Sequence, residues 1–279
     1  MAAAPTRGPV LELTGEVTPV RRLLADLWAA RGLLPMLAAK DFHARYRSAS
    51  LGVLWSVFLP LLQGAVLAVV FTKVVRIPVS TGLSYPVFVI SGMVLWSYFT
   101  QSLTAGATSI VDGGAIASKV YFPRAILPAV PAAANLVSFA ISAAMVVVLM
   151  AAFGVAFRPT LLLLPVAMAL TTVTATLLAA ILAVAHVYFR DVRYIVQAVL
   201  LVALYAAPVI YPLERAERFE PVLLANPITG PLQLARFAIF GEVARLGPAL
   251  ASTAMWLVTL AAAVLLVYRS HERVAVDRL

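Results

Sequence analysis

The stretch DFHARYRSASLGVLWSVFLP, residues 41–60, sets His43, Arg45 and Arg47, with Lys40 just ahead of them, against a run that carries no charge. Positive charge at the edge of an apolar run marks the cytoplasmic end of a membrane helix. A crossing helix needs roughly 20 residues without charge. From this boundary onward, six intervals free of Asp, Glu, Lys, Arg and His are long enough to supply one: 48–72, 77–111, 125–157, 159–185, 194–213 and 246–268. The second ends in a polar tract from Thr100 to Ser109, so its helix is expected to run past the hydrocarbon or to line a wet surface. In the third, Pro128, Pro131 and Asn135 move the expected span to 134–153. The reading is an all-α integral membrane protein with six transmembrane helices.

Composition agrees: 63% of the residues are hydrophobic and only 12% charged, against about a quarter charged in soluble domains. Cysteine is absent, which excludes disulfides and thiolate metal sites, and His43, His186 and His271 lie too far apart in sequence to form a helical ligand pair. No metal is expected. Residues 1–19 contain no apolar core of a signal peptide. With the N-terminus in the cytoplasm, the inner segments hold fourteen Lys and Arg and the outer ones seven, so both termini are expected inside and the net charge of +9 belongs to topology, not to a nucleic-acid partner. The chain then divides into a cytoplasmic segment 1–47, a membrane domain 48–268 and a tail 269–279.

Lys40, Arg45 and Arg47 are thus the inside anchor of the first helix, with Trp55 at the interface. Ahead of them, Val20, Leu23, Leu24, Leu27 and Trp28 recur at helical spacing, with Arg21, Arg22, Asp26 and Arg31 on the other faces. Residues 19–31 therefore form an amphipathic helix that can lie in the headgroup plane or bind a soluble partner, ended by Gly32 and Pro35. The spans contain no ionisable residue, which argues against ion coupling and proton relays. His186 reads as a satisfied boundary histidine. Asp41, Asp112 and Asp191 stand alone beside basic residues, where an integral transferase acting on prenyl phosphates would want carboxylates grouped around a metal. The sequence from Gly113 to Val120 approaches a phosphate-binding loop, but Ser118 replaces its second glycine and Val120 its hydroxyl residue, so the chain has no nucleotide site of its own. Any energy must enter from a partner. The basic and aromatic loop 112–124, with Val120, Tyr121 and Phe122 stopped by Pro123, has the character of an element that buries its apolar face in a cytoplasmic protein.

Five stretches, KDFHARYRSASLGVLWSVFLPLL (40–62), ISGMVLWSYF (90–99), ASKVYFPRAILP (117–128), YFRDVRY (188–194) and NPITGPLQLARFAIFGE (226–242), resemble in order the transmembrane subunits of type-2 ATP-binding-cassette exporters. The resemblance is to the branch that exports lipid-linked polysaccharides such as O-antigen, teichoic acid and galactan. It implies a homodimer of this chain with two copies of a cytoplasmic ATPase, which carries the ATP and Mg, in a bacterial cytoplasmic membrane. It implies that 112–124 is the coupling element, with Lys119, Val120, Tyr121, Phe122 and Arg124 as contacts. It also implies that 19–31 is an interface helix touching the ATPase, and that 213–245 holds two re-entrant helices between helices 5 and 6. In this light Lys40, Arg45 and Arg47 are candidates for the pyrophosphate of a polyprenyl-linked polymer. Trp55, Phe58, Trp96, Tyr98, Phe99 and Thr100 are candidates for the channel lining, since sugar rings offer apolar faces and hydroxyl edges. Asp191 is expected to cap the fifth helix. The alternatives are an exporter of drugs or small lipids with the same fold, the integral transferase, and a scaffold that transports nothing.

Overall fold

The computed structural model describes residues 20–47, 50–74, 84–113, 123–213 and 218–271, and every regular element among them is helical. Helices α1 (Val20–Ala29) and α2 (Leu33–Tyr46) are joined by one tight turn, Ala30–Gly32. Pro35 interrupts less than its residue type implies. It lies in the first turn of α2, where its missing N–H has no intrahelical acceptor to lose. Leu24 and Trp28 are exposed on α1, and Leu27 packs inward. The side chains of Arg22, Leu23 and Asp26 lie outside the described residues.

Five helical stretches among the described residues are long and apolar enough to cross a membrane. They are α3 (Leu54–Val69) with its wide final turn to Val74, α4 (Tyr85–Asp112), α5 (Ala129–Ala152), α6 (Leu164–Tyr188) and α10 (Leu246–His271). The third span differs from expectation: α5 begins at Ala129, not near residue 134. Pro128 and Pro131 sit ahead of and within its first turn, where proline is pre-organised for helix and costs no hydrogen bond.

The interval 194–213 does not form one membrane-length helix. Helix α7 (Val192–Ala203) has 12 residues, and turns follow. Pro208 and Pro212 cannot extend the ladder, and side chains take up carbonyls that it would have satisfied. Tyr211 Oη donates to Tyr205 O at 2.9 Å, Arg236 Nη2 to Val209 O at 2.9 Å and Tyr85 Oη to Ile210 O at 2.8 Å. Asp191 occupies the cap position of α7, but its side chain makes no cap hydrogen bond. Its charge at the helix N-terminus is the favourable contribution that remains. The described part of region 213–245 contains two helices too short to span, α8 (Glu220–Leu224) and α9 (Thr229–Phe240).

Helix α4 is the axis of the molecule. It packs against α3, α5, α6, α7 and α9, and Val87, Val89 and Ala107 on it are completely enclosed. Its closest approach is to α6 at Gly106, where an added Cβ would lie 2.6 Å from Ala179 Cβ and 3.0 Å from Pro128 O. Two apolar clusters result. The larger joins α4 to α5, α6, α7 and α9. The smaller gathers Ala30, Ile110, Ile126, Leu127, Ala180, Val184 and Tyr268, so it ties α1, the end of α4 and the turn Arg124–Ile126 to α6 and α10.

Candidate functional site

Six polar residues of α4 fall at helical spacing on one face: Ser97, Thr100, Gln101, Thr104, Thr108 and Asp112. They are the floor of a furrow. Toward the middle of α4 the furrow opens to about 640 Å³ between α3, α4 and α7, with Gln63, Trp96, Thr100, Thr104, Gln197 and leucines of α3 and α7 in its walls. Toward Asp112 it continues as a space of about 530 Å³ that shares Thr100, Thr104 and Gln197 and adds Arg45, Asp112 and Arg193. Shared lining makes the two one passage, about as long as the stretch of α4 from Met93 to Asp112. Gln63 is notable because it is exposed in the middle of an apolar helix, where an amide facing hydrocarbon would lack partners.

Two ion pairs stand at the Asp112 end. Arg193 Nη2 meets Asp112 Oδ1 at 3.1 Å, and Thr108 Oγ1 donates to the other carboxylate oxygen at 2.6 Å. Arg45 Nη2 meets Asp41 Oδ2 at 2.8 Å, and its Nη1 donates to Asn135 Oδ1 at 2.6 Å. Asn135 Nδ2 in turn donates to Ser102 Oγ at 3.2 Å. The chain Asp41, Arg45, Asn135, Ser102 therefore bolts α2 to α5 and α4. On the other side of Arg45 a second cavity, of about 310 Å³, is lined by Lys40, Asp41, Ser109 and Asp112. Lys40 makes no ion pair among the described residues.

The residues singled out from the sequence separate accordingly. Lys40 and Arg45 come together at the cavity, while Arg47 lies exposed at the end of α2 and lines none of these spaces. Trp96 and Thr100 line the furrow. Tyr98 and Phe99 are buried in helix packing instead: Tyr98 stacks on Phe139 at 4.0 Å, and its hydroxyl donates to Ala132 O and Thr172 Oγ1 at 3.0 and 2.9 Å. Trp55 and Phe58 are exposed on α3, edge to face at 5.9 Å. Lys119, Val120, Tyr121 and Phe122 lie outside the described residues, and Arg124 opens the turn that enters the smaller cluster. His186 is buried, and its Nδ1 has no hydrogen bond among the described residues. Gln101 falls in the polar tract expected to line a wet surface, whereas Gln63, Gln197 and the Asp112–Arg193 pair were not anticipated; isolated amides in apolar intervals are easily passed over.

At the far end of α4 the 213–245 region is pinned to it. Arg236 on α9 is buried, its guanidinium 3.7 Å from the Phe88 ring centroid and bonded to Val209 O and, at 3.2 Å, to Gln233 Oε1. Asn226 Oδ1 accepts from Ile228 N at 3.1 Å, the local turn that lets the Pro-rich stretch enter α9.

Residues 33–240 match the family of ABC-2 type transporters, which covers most of the described chain and both walls of the furrow. The chain is 34% identical over 224 residues to an O-antigen export system permease protein RfbA of Myxococcus xanthus, spanning 79% of this chain and 85% of that protein. It is 27% identical over 203 residues to one of the same name from Klebsiella pneumoniae, spanning 70% and 75%. The chain belongs to the ABC-2 type transporter family, and the relatives to which it is similar are permeases of O-antigen export.

Proposed function

We propose that this chain is the membrane-spanning subunit of an ATP-driven exporter that carries a polyprenyl-pyrophosphate-linked polysaccharide outward across a bacterial cytoplasmic membrane. It works as a homodimer with two copies of a cytoplasmic ATPase, which binds the ATP and Mg. The observation that carries the reading is the furrow. Its hydroxyls and amides open to one side of the chain, and a second copy facing it would close them into a pathway for a sugar chain. The Lys and Arg distribution supports both termini inside, and α7 with the turns after it would make the remaining passage, with α8 and α9 as the non-spanning pair near the outer exit.

The cavity beside Arg45 would hold the lipid diphosphate, met there by Lys40, which makes no ion pair among the described residues, while Arg45 is already taken up by Asp41 and Asn135. The coupling route has physical support at its base. Arg124–Ile126, which follows Tyr121 and Phe122, and Ala30, which follows α1, sit in one apolar cluster with Ile110 of α4. A push on either element therefore reaches α4 through packed side chains.

The test is coexpression with the candidate ATPase, comparing wild type with a Tyr121→Ala, Phe122→Ala double variant. The expected result is that the ATPase copurifies with wild type, and that the variant loses it or hydrolyses ATP while lipid-linked sugar accumulates inside. A chain that never binds an ATPase, together with a variant that exports normally, would overturn the reading.

A further inference from the structure

Resting on the exporter reading above, we infer that the furrow is selective for the charge of its cargo: it takes an uncharged polyhydroxylated chain and rejects an anionic one. Three observations carry this. The described walls above the mouth contain no ionisable side chain; their polar groups are the amides of Gln63 and Gln197 and the hydroxyls of Ser97, Thr100 and Thr104. Amides and hydroxyls both donate and accept, which matches sugar hydroxyls in either role, and the leucines of the α3 and α7 walls, backed by the largely buried Trp96, meet the apolar ring faces.

The second observation is at the mouth. Among the described residues, the guanidiniums that line the mouth, Arg45 and Arg193, are each paired with a carboxylate, Asp41 and Asp112, so neither is an unpaired cation facing a passing chain. The third is the separation of the cation. Lys40 lines the smaller cavity on the other side of Arg45 and is absent from the furrow's lining. Charge recognition is therefore placed at the diphosphate head, while the described walls of the passage above its mouth carry no charge. A uronate or phosphodiester repeat would have to shed water beyond the mouth, where the described walls hold no cation, which is costly at membrane depth. A hydroxyl loses far less.

The experiment uses inverted membrane vesicles carrying this chain with its ATPase partner and measures ATP-dependent uptake of two probes. One is polyprenyl diphosphate bearing a neutral mannan, and the other is the same lipid bearing a polymer of equal length with a glucuronate in each repeat. The shared lipid diphosphate cancels, so the ratio reports the chain. Uptake of the neutral probe is expected to be at least about tenfold faster. Gln197→Lys, on an exposed position of α7, places a cation in each furrow and should bring the ratio to within about threefold by raising uptake of the anionic probe. Equal uptake of both probes by wild type, or a ratio unmoved by Gln197→Lys, overturns the charge selectivity and leaves the exporter reading standing. No uptake of either probe while ATP is hydrolysed overturns the exporter reading itself, and the selectivity falls with it.

Discussion

Replacing Gly106 with Ala tests the packing of the α4 axis at its tightest point. The new methyl would sit 2.6 Å from Ala179 Cβ and 3.0 Å from Pro128 O. Carbon atoms prefer about 3.5–4.0 Å, so the overlap with Ala179 is about 1 Å and cannot be relieved by a rotamer change, because neither methyl has one. Helices α4 and α6 must separate, which costs about 1–3 kcal/mol as overpacking, less the ~1 kcal/mol that Ala gains over Gly in a helix interior. The substitution should lower the thermal midpoint of the detergent-purified protein. Ala179→Gly alone should also destabilise, by about 1 kcal/mol. In the double variant the methyl moves across the interface, and the two effects should fail to add by about 1 kcal/mol or more, leaving only the contact with Pro128 O. Gly247→Ala is the control, since nothing lies within 4 Å of its added carbon, and it should be neutral or slightly stabilising. Strict additivity of the Gly106 and Ala179 substitutions would show that the two helices do not touch there, and would refute the placement of α4 against α6.

Arg236→Met should cost about 2 kcal/mol in the same melting assay, because the Val209 carbonyl and the Gln233 amide oxygen lose a buried donor while the relief of a desolvated charge offsets part of that loss. Arg236→Lys should not restore stability, since an ammonium cannot bridge both acceptors and stack on Phe88; a fully stable lysine variant would contradict the geometry. Arg45→Ala should destabilise by about 1–2 kcal/mol through the buried Asn135 acceptor, whereas Asp41→Asn, which touches only the exposed pair, should stay within about 0.5 kcal/mol. Adding Asn135→Leu to Arg45→Ala should recover part of the loss, and no recovery would count against the bolt between α2 and α5.

Where charge and hydropathy alone govern, the sequence was a sufficient guide: the uncharged intervals became α3, α4, α5, α6 and α10 because a bilayer admits few other solutions. At 194–213 it located the apolar stretch but not its form, a short helix followed by turns. Hydropathy is blind to who satisfies a carbonyl, and there the answer depends on Tyr85, Tyr211 and Arg236, one of them more than a hundred positions away. The same blindness affected Tyr98, whose aromatic and polar character suits a channel wall and a buried hydrogen bond equally; its partner Thr172 lies 74 residues on. Of the candidate site, Lys40 and Arg45 were legible because cations beside an apolar run are conspicuous. Asn135 was read only as a helix boundary, although a buried amide in an apolar helix requires partners and so foretold a bracket.

The burial pattern also indicates which parts of the subunit can move. Helix α4 is about 42 Å long from its 28 residues, and it is clamped at both ends: Ile110 sits in the cluster with the Arg124–Ile126 turn, and Phe88 and Tyr85 are locked to Arg236 and Ile210. With 78% of its most apolar window buried it behaves as a strut, whereas the α3 window is only 22% buried. The furrow has one wall from each class. Its floor belongs to the strut, and Gln63 and Gln197 project from α3 and α7, whose remaining faces are largely uncovered. Shifting α3 or α7 breaks fewer packed contacts than shifting α4, so widening of the passage should come from those walls while the polar floor keeps its register. In the exporter proposed above, a push on the 112–124 loop would then act on a rigid lever that already reaches the 213–245 region, and a sugar chain would move over hydroxyls and amides whose spacing does not change.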